Sequence, residues 1–229
     1  MGFVVEFCGL PGAGKSTLAR TLVARLRLQG IPTTEVMAPL GPDAQRASRI
    51  VRKVGAVARG LGDPGSARLI VEVGLRTGQA DRRDRVARPA NLVVVRHAVR
   101  RARAALGVHV LDQGPLQEWW SAALRADGDR VLALAAADRA DRADLIIRVD
   151  TPIDVLLERL DARAARQSRL EAVETAERRA ELERGSVLLD ALCSQLVHSP
   201  GTHRPLVKRV DGLDPAVPDL ILEMVDRTR

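Results

Sequence analysis

One short segment near the start of the chain constrains the fold more than any other. Residues 3–17 read FVVEFCGLPGAGKST, and they contain the pattern Gly-x-x-x-x-Gly-Lys-Ser at residues 9–16. The apolar run before the glycines predicts a buried β-strand, and the leucines at helical spacing after them predict a helix. A strand, a glycine-rich loop and a helix in this order predict a phosphate-binding P-loop.

The residue types in this loop suit a triphosphate. Glycines let the backbone curl so that successive N–H groups point inward, and the start of the helix adds positive charge. We expect the Lys15 ammonium to reach the outer phosphates and the Ser16 hydroxyl to bind Mg²⁺. The predicted phosphate-binding residues are Gly9, Pro11, Gly12, Ala13, Gly14, Lys15, Ser16 and Thr17.

Lysine usage supports this interpretation. The chain has 36 Lys and Arg residues, but its only lysines are Lys15, Lys53 and Lys208. A chain that uses arginine for nearly every cation therefore keeps lysine where a P-loop requires it. Because the glycines are followed directly by lysine, a dinucleotide-binding Gly-x-Gly-x-x-Gly motif is disfavoured.

Length and composition limit the other classes of protein to which the chain could belong. A length of 229 residues predicts one domain, with or without an inserted lid. No apolar run reaches the ~20 residues of a membrane span, and no basic leader precedes the first strand, so we expect neither a membrane partner nor a signal peptide. Cys8 and Cys193 fit no metal-binding spacing, which favours the reducing cytoplasm.

The chain is basic, with a formal net charge of +7. The arginines are spread along most predicted helices, and aromatic residues for base stacking make up only 2% of the chain. We therefore disfavour nucleic acid as a partner and expect an anionic small molecule instead. The sequence leaves a homodimer open.

Five short apolar segments predict strands that alternate with helices: 3–8, 31–37, 108–111, 145–149 and 206–210. This alternation predicts a three-layer α/β sandwich with a five-stranded parallel sheet. Between the second and third strands we predict helices at 43–60, 64–80 and 84–105, the last kinked or restarted at Pro89. Capping by Thr151-Pro152 and by Asp214-Pro215 is predicted to start two later helices.

Asp112 is the second residue with a predicted chemical role. It follows the apolar strand VHVL directly, which places its carboxylate at the ligand-binding edge of a parallel sheet. There it would stand near Mg²⁺, as a Walker B acid does, or orient or deprotonate a substrate hydroxyl. An ordinary aspartate that starts a turn is the structural alternative.

Four arginines recur at helical spacing in the charged stretch 159–184, namely Arg159, Arg163, Arg166 and Arg169. Their spacing places them along one side of a helix, where their guanidinium groups would contact phosphate oxygens. We expect a lid here, with Arg163 and Arg169 assisting catalysis and Arg159 and Arg166 binding nucleotide. A solvated charged helix is the alternative.

Glu35 lies near the end of the second predicted strand. It is a candidate for the base that accepts a proton from an acceptor hydroxyl, although its side chain could equally face the helical layer. The loop 38–41 that follows is expected to border the acceptor pocket. Of the adjacent Trp119 and Trp120, we expect one to pack in the core and the other to form a pocket wall or an interface.

These segments together resemble P-loop kinases of the thymidylate kinase-like and nucleoside/nucleotide kinase group. The resemblance rests on GLPGAGKST at 9–17, VHVLDQG at 108–114 and RVDTPIDVLLERLDARAARQSRLE at 148–171, and it extends over nearly the whole chain. It implies an ATP- and Mg²⁺-dependent kinase with an arginine-bearing lid. It also implies one domain, with a core at 1–42 and 106–229 and an acceptor-side helical region at 43–105.

The chain departs from thymidylate kinases around the acceptor. Gln113 and Gly114 follow Asp112 where that family has Arg and an aromatic residue, and no Glu-Pro follows the second strand. We therefore expect a small-molecule acceptor other than thymidylate, carrying a hydroxyl or a phosphate. A nucleotide-dependent switch or assembly ATPase and a polynucleotide-end kinase are the competing hypotheses.

Overall fold

A computed structural model describes residues 1–37, 63–138, 141–162, 175–198 and 204–229, together with residues 55 and 58. Several predicted features lie outside these residues. They are the loop 38–41, almost all of the predicted helix 43–60, and the lid residues Arg163, Arg166 and Arg169.

A five-stranded parallel sheet forms the centre of the molecule, and its strand order is β2-β3-β1-β4-β5. The strands are β1 (Phe3–Gly9), β2 (Thr33–Glu35), β3 (Val108–Leu111), β4 (Leu145–Asp150) and β5 (Leu206–Asp211). The predicted parallel sheet is therefore confirmed. β2 is shorter than the predicted 31–37, and it pairs with β3 over these three residues.

Eight α-helices lie within the described residues. They are α1 (Lys15–Leu28), α2 (Pro64–Val71), α3 (Arg82–Ala104), α4 (Pro115–Ala123), α5 (Gly128–Ala137), α6 (Ile153–Asp161), α7 (Thr175–His198) and α8 (Val217–Thr228). None of these described helices is long and apolar enough to cross a bilayer. Residues of β1, β3 and β4 are buried almost throughout, so both faces of the central sheet are covered.

The helical region before β3 differs from its prediction in two places. The predicted helix 64–80 ends earlier, because α2 passes into a π-helical turn over Glu72–Arg76 and Gly78 then takes a left-handed φ of +65°. α3 is continuous through Pro89, so the helix does not restart there. A proline deprives the carbonyl four residues earlier of its helical donor. That carbonyl, of Arg85, lies 2.8 Å from where a Cβ on Gly74 would stand, so Gly74 packs closely beside it.

The predicted side-chain caps of two later helices are wrong. α6 has Pro152 at its N-cap with no side-chain cap, and the Thr151 hydroxyl donates instead to the carbonyl of Ala13 at 3.3 Å. α8 starts at Val217, after a turn in which the Asp214 carboxylate accepts from the Ala216 N–H at 2.8 Å. Both polar side chains organise loops at the carboxyl edge of the sheet.

Glu6 is a buried carboxyl group beneath the start of α4. Its side chain is 1% exposed, and its Oε1 accepts the backbone N–H of Gln117 at 3.1 Å. A Cβ on Gly114 would lie 2.3 Å from the Glu6 carboxyl carbon, so only glycine fits there. Burial raises the pKa of Glu6 from 4.5 to about 8, although hydrogen bonds from the backbone of Gln117 and Leu116 oppose the rise.

This raised pKa predicts a specific dependence of stability on pH. Between pH 4.5 and about 8 the folded state keeps a proton on Glu6 that the unfolded chain releases. Its contribution to the free energy of unfolding is therefore complete at low pH and is lost as the pH rises through this window. Glu6→Gln should flatten the decline measured by urea denaturation between pH 5 and 9. The exposed Glu158→Gln should keep the wild-type slope, and an unchanged slope in Glu6→Gln would contradict the assignment.

Candidate functional site

The loop between β1 and α1 has the backbone geometry of a phosphate cradle. Gly12 and Gly14 adopt left-handed φ angles of +88° and +96°, which residues with a side chain rarely accept. The Lys15 side chain is only 9% exposed, and its Nζ donates to the carbonyls of Gly9 and Leu10, each at 2.9 Å. The lysine thus lies along the loop that precedes it, with its ammonium held at the carboxyl end of β1.

Ser16 and Asp112 meet across the edge of the sheet. The Ser16 hydroxyl donates to Asp112 Oδ2 at 2.9 Å. The pairing of β1 with β3 explains this contact, because Glu6 stands opposite Leu111 and both strands then end at the same edge. The sequence prediction that these two residues share one site agrees with the geometry.

Two contacts tie the P-loop to the ends of β4 and β5. Thr151 holds the carbonyl of Ala13, as described above. Gly212, directly after β5, packs so closely that a Cβ there would lie 2.4 Å from the Thr151 hydroxyl and 2.8 Å from the Ala13 oxygen. The loop is therefore clamped from the side opposite to β3.

Arg159 is the lid arginine whose position the structure describes. It lies on α6, lines the cleft beside the P-loop, and donates through Nη1 to the carbonyl of Gly12 at 3.0 Å. Its guanidinium also comes within 4.0 Å of a Cβ placed on Gly14. α6 ends at Asp161 and α7 begins at Thr175, so the remaining predicted lid arginines fall between the two helices and outside the described residues.

An open cleft of about 900 Å³ extends from the P-loop towards α3 and α4. At one end its lining includes Lys15, Ser16 and Arg159. Towards α3 and α4 the lining also includes several polar or charged side chains, namely Arg83, Asn91, Gln113, Gln117, Glu118 and Arg125. Arg125 forms an ion pair with Glu181 of α7 at 3.1 Å, which closes the far wall. Because different residues line its two ends, the cleft offers separate regions for two ligands.

Gln117 is a residue that the sequence analysis missed. Its Oε1 accepts the backbone N–H of Gly9 at 3.1 Å, and its own N–H donates to Glu6. It therefore connects the first glycine of the P-loop to the start of α4 while it also lines the cleft. No local pattern singles out a glutamine in the first turn of a helix, so this role emerges only from the packing of α4 against β1.

The two tryptophans divide as predicted. Both are buried, and Trp119 lies in the interior while Trp120 lines the cleft. The Trp120 indole N–H donates to the carbonyl of Gly185 on α7 at 2.7 Å. Glu35 ends β2 opposite Val110 and is half-buried, and it is not among the residues that line the cleft. Its role as a base stays a prediction.

Among the described residues there is no cluster of three or more His, Cys, Asp or Glu side chains suited to hold a metal ion by themselves. The Ser16 hydroxyl and the Asp112 carboxylate, which meet at 2.9 Å, are two oxygen groups that could contribute to holding a cation here. Such partial protein coordination is the usual arrangement for Mg²⁺ at a nucleotide.

Known proteins share this architecture. Two structures of deoxyadenosine kinase from M. mycoides match with 13% sequence identity. The one with the products dCMP and dCDP has a TM-score of 0.55, with 98% of this chain and 100% of that chain covered. The one with bound dATP has a TM-score of 0.56, with 98% and 99% covered. At this identity the likeness establishes the fold alone, and it confirms the predicted P-loop kinase fold.

No protein of curated function matches the sequence. A family model described as an AAA domain matches residues 4–185, which include the P-loop, Asp112 and Arg159. The match spans more than half of the chain. The protein therefore belongs to this AAA domain family, and its fold is that of the P-loop nucleoside kinases.

Proposed function

We propose that the protein is a kinase that transfers the terminal phosphoryl group of ATP, with Mg²⁺, to a nucleoside, a nucleotide or a related small metabolite. One observation carries this proposal above the others. Lys15 and Ser16 of the P-loop line one cleft together with residues of α3 and α4, and the Asp112 carboxylate accepts a hydrogen bond from the Ser16 hydroxyl beside it. Such a cleft can hold a donor and an acceptor at once, which phosphoryl transfer requires.

The donor half suits a nucleoside triphosphate. Left-handed Gly12 and Gly14 leave the loop backbone free of side chains where phosphates would approach, and the N-terminus of α1 follows directly. Lys15 is held at the start of the loop by two carbonyls, from which its flexible side chain can turn to the outer phosphates. Arg159 stands on the opposite wall with its guanidinium above Gly12.

The hydroxyl of Ser16 and the carboxylate of Asp112, 2.9 Å apart, provide the hard oxygen ligands that Mg²⁺ prefers. When bound there, the ion would neutralise charge on the phosphate oxygens. The protein's own contribution is positional. The clamp by Thr151 and Gly212 and the hydrogen bond from Gly9 to Gln117 preorganise the loop before nucleotide arrives.

The part of the cleft formed by α3 and α4, which we assign to the acceptor, has side chains suited to binding a nucleoside-like ligand. Asn91, Gln113 and Gln117 offer amide donors and acceptors, while Glu118 and Arg83 add one group of each charge. If the acceptor is a hydroxyl, its proton would pass to a carboxylate at the sheet edge, either Asp112 or Glu35. The structural neighbours that bind deoxynucleotides support a nucleoside or nucleotide acceptor over an unrelated metabolite.

Two competing functions predict different results in one assay. Incubation with ATP, Mg²⁺ and a panel of nucleosides and nucleoside monophosphates, followed by chromatography of the nucleotides, should reveal a phosphorylated acceptor. ADP release without any phosphorylated acceptor would favour a switch or assembly ATPase. Phosphorylation of oligonucleotide ends alone, with strong salt sensitivity, would favour a polynucleotide-end kinase.

Lys15→Ala should reduce phosphoryl transfer by on the order of 100- to 1,000-fold, because a positioned cation at the migrating group is lost. The fold should persist, as measured by circular dichroism and thermal melting. Lys208→Ala is the matched control, since it removes an exposed lysine on β5 and should leave turnover unchanged. Turnover that survives in Lys15→Ala would overturn the mechanism.

Gly212→Ala should weaken nucleotide binding without unfolding the protein. The new methyl group would collide with the Thr151 hydroxyl and the Ala13 carbonyl, at 2.4 and 2.8 Å, and would push the P-loop out of place. Overpacking of this kind costs about 1–3 kcal/mol, and if nucleotide binding has to restore the loop this corresponds to a loss of about 5- to 150-fold in affinity. Calorimetric titration with ADP measures the effect. Gly65→Ala is the control, because the nearest atom to its new Cβ lies at 3.7 Å, and equal affinities in the two variants would contradict the clamp.

Arg83→Ala should raise the KM for the acceptor several-fold and leave the KM for ATP unchanged, since Arg83 lines the end of the cleft that faces α3 and α4. Arg82→Ala removes the neighbouring exposed arginine, which does not line the cleft, and should change neither constant. Steady-state kinetics with each substrate varied in turn test this assignment. A rise in the KM for ATP instead would place Arg83 in the donor site.

A further inference from the structure

The chain has two cysteines, Cys8 and Cys193, which lie far apart in the sequence and meet in the fold. Cys8 is completely buried near the end of β1, and Cys193 on α7 is 8% exposed. Neither forms a disulfide, and each thiol is close enough to shift the pKa of the other. The kinase chemistry proposed above uses neither of them.

The register of the sheet explains why they meet. In the parallel pairing of β1 with β4, Cys8 stands opposite Arg148, so both side chains project from the same face. α7 covers this face, because the Arg148 guanidinium forms an ion pair with Asp190 of that helix. Cys193 follows Asp190 by one turn, which brings its thiol over the same pair of strands.

The surroundings give the two thiols different chemical roles. The hydrogen bond from Cys8 and the charge of the buried Arg148 lower the pKa of Cys193, although burial opposes this. The same hydrogen bond, together with burial, raises the pKa of Cys8. Cys193, which is also the more exposed of the two, is thus the better nucleophile, while Cys8 holds its proton more tightly. The carboxylate of Asp190 faces the pair and opposes ionisation of Cys193, while the neighbouring Glu6 keeps its proton up to about pH 8.

We propose that Cys8 and Cys193 are a thiol pair that hydrogen peroxide oxidises to a disulfide, linking β1 to α7. The Cys193 thiolate sulfur attacks one peroxide oxygen, the O–O bond breaks, and hydroxide leaves and is protonated to water. The Cys8 sulfur then attacks the sulfenic sulfur of Cys193, the S–O bond breaks, and a second water leaves with the proton of Cys8. Two thiols are oxidised while one peroxide is reduced to two waters.

This bond would act on the P-loop. Cys8 directly precedes Gly9, whose carbonyl holds Lys15 and whose N–H holds Gln117. About two turns before Cys193 on α7, Gly185 packs against Leu10, and its carbonyl accepts the Trp120 indole N–H. A disulfide is shorter than any contact between two thiols, so it draws α7 towards the strand that carries the loop. Weaker nucleotide binding follows, and this consequence rests on the proposed function whereas formation of the bond does not.

To test this, the reduced protein is treated with increasing concentrations of hydrogen peroxide. The remaining thiols are then alkylated under denaturing conditions, and the mass of the intact protein is measured. We expect both alkylation sites to disappear together, with a mass lower by two hydrogens, and dithiothreitol to restore them. Two thiols that stay alkylatable after treatment would overturn the proposal, as would separate oxidation of each to higher acids.

Single variants test the order of the steps. Cys8→Ala should leave Cys193 as a sulfenic acid that a dimedone probe traps, whereas Cys193→Ala should leave Cys8 alkylatable at the same peroxide concentration. The reverse pattern would contradict the assignment of Cys193 as nucleophile. If either variant is unstable, the wild-type mass measurement still decides whether the bond forms.

Nucleotide binding is measured separately with a fluorescent ADP analogue. The oxidised wild-type protein should bind several-fold more weakly and recover with dithiothreitol, while the Cys8→Ala/Cys193→Ala double variant should be insensitive to peroxide. An equal loss in the double variant would assign the effect to other residues and overturn the regulatory consequence. Absence of nucleotide binding in the reduced protein would refute the proposed function while leaving the disulfide result intact.

Discussion

The backbone of the P-loop is the constraint on which the rest of the structure depends. A turn with left-handed conformations at two positions requires glycine there, here Gly12 and Gly14, and it is held in place from several sides. Gln117 holds its first N–H, while Thr151 and Gly212 hold its far side. These contacts come from the ends of β1, β4 and β5 and from the start of α4. The order of the strands in the sheet therefore determines the geometry of the site.

Glu6 shows how the helical layer is joined to this loop. A carboxyl group that burial keeps protonated up to about pH 8 accepts backbone N–H groups at the start of α4. α4 then carries Gln117 to the P-loop and Glu118 and Trp120 to the cleft wall. The same face of β1 carries Cys8 to α7. One face of one strand thus supports the donor loop, the acceptor wall and the thiol pair.

Much of this could be predicted from local sequence. An apolar run indicates each strand of the sheet, and the position of Asp112 beside the P-loop follows because β3 ends next to β1, the strand that leads into that loop. Helix boundaries and caps were predicted less well. Thr151 and Asp214 have the right side chains to cap a helix, but their partners turned out to be a P-loop carbonyl and a turn amide, since nearby tertiary groups compete for the same hydrogen bonds.

The sequence by itself determined that this chain builds a P-loop on a parallel α/β sheet. The glycines, Lys15 and Ser16 form one short motif, and Asp112 directly follows an apolar strand, so local sequence is enough to recognise them. Only the tertiary structure decided what surrounds that loop. Gln117, Gly212 and Cys193 act through partners about 60 to 200 residues away along the chain, so no local pattern could reveal them. The physical reason is that close packing of helices on the sheet, rather than any motif, brings these groups within contact distance.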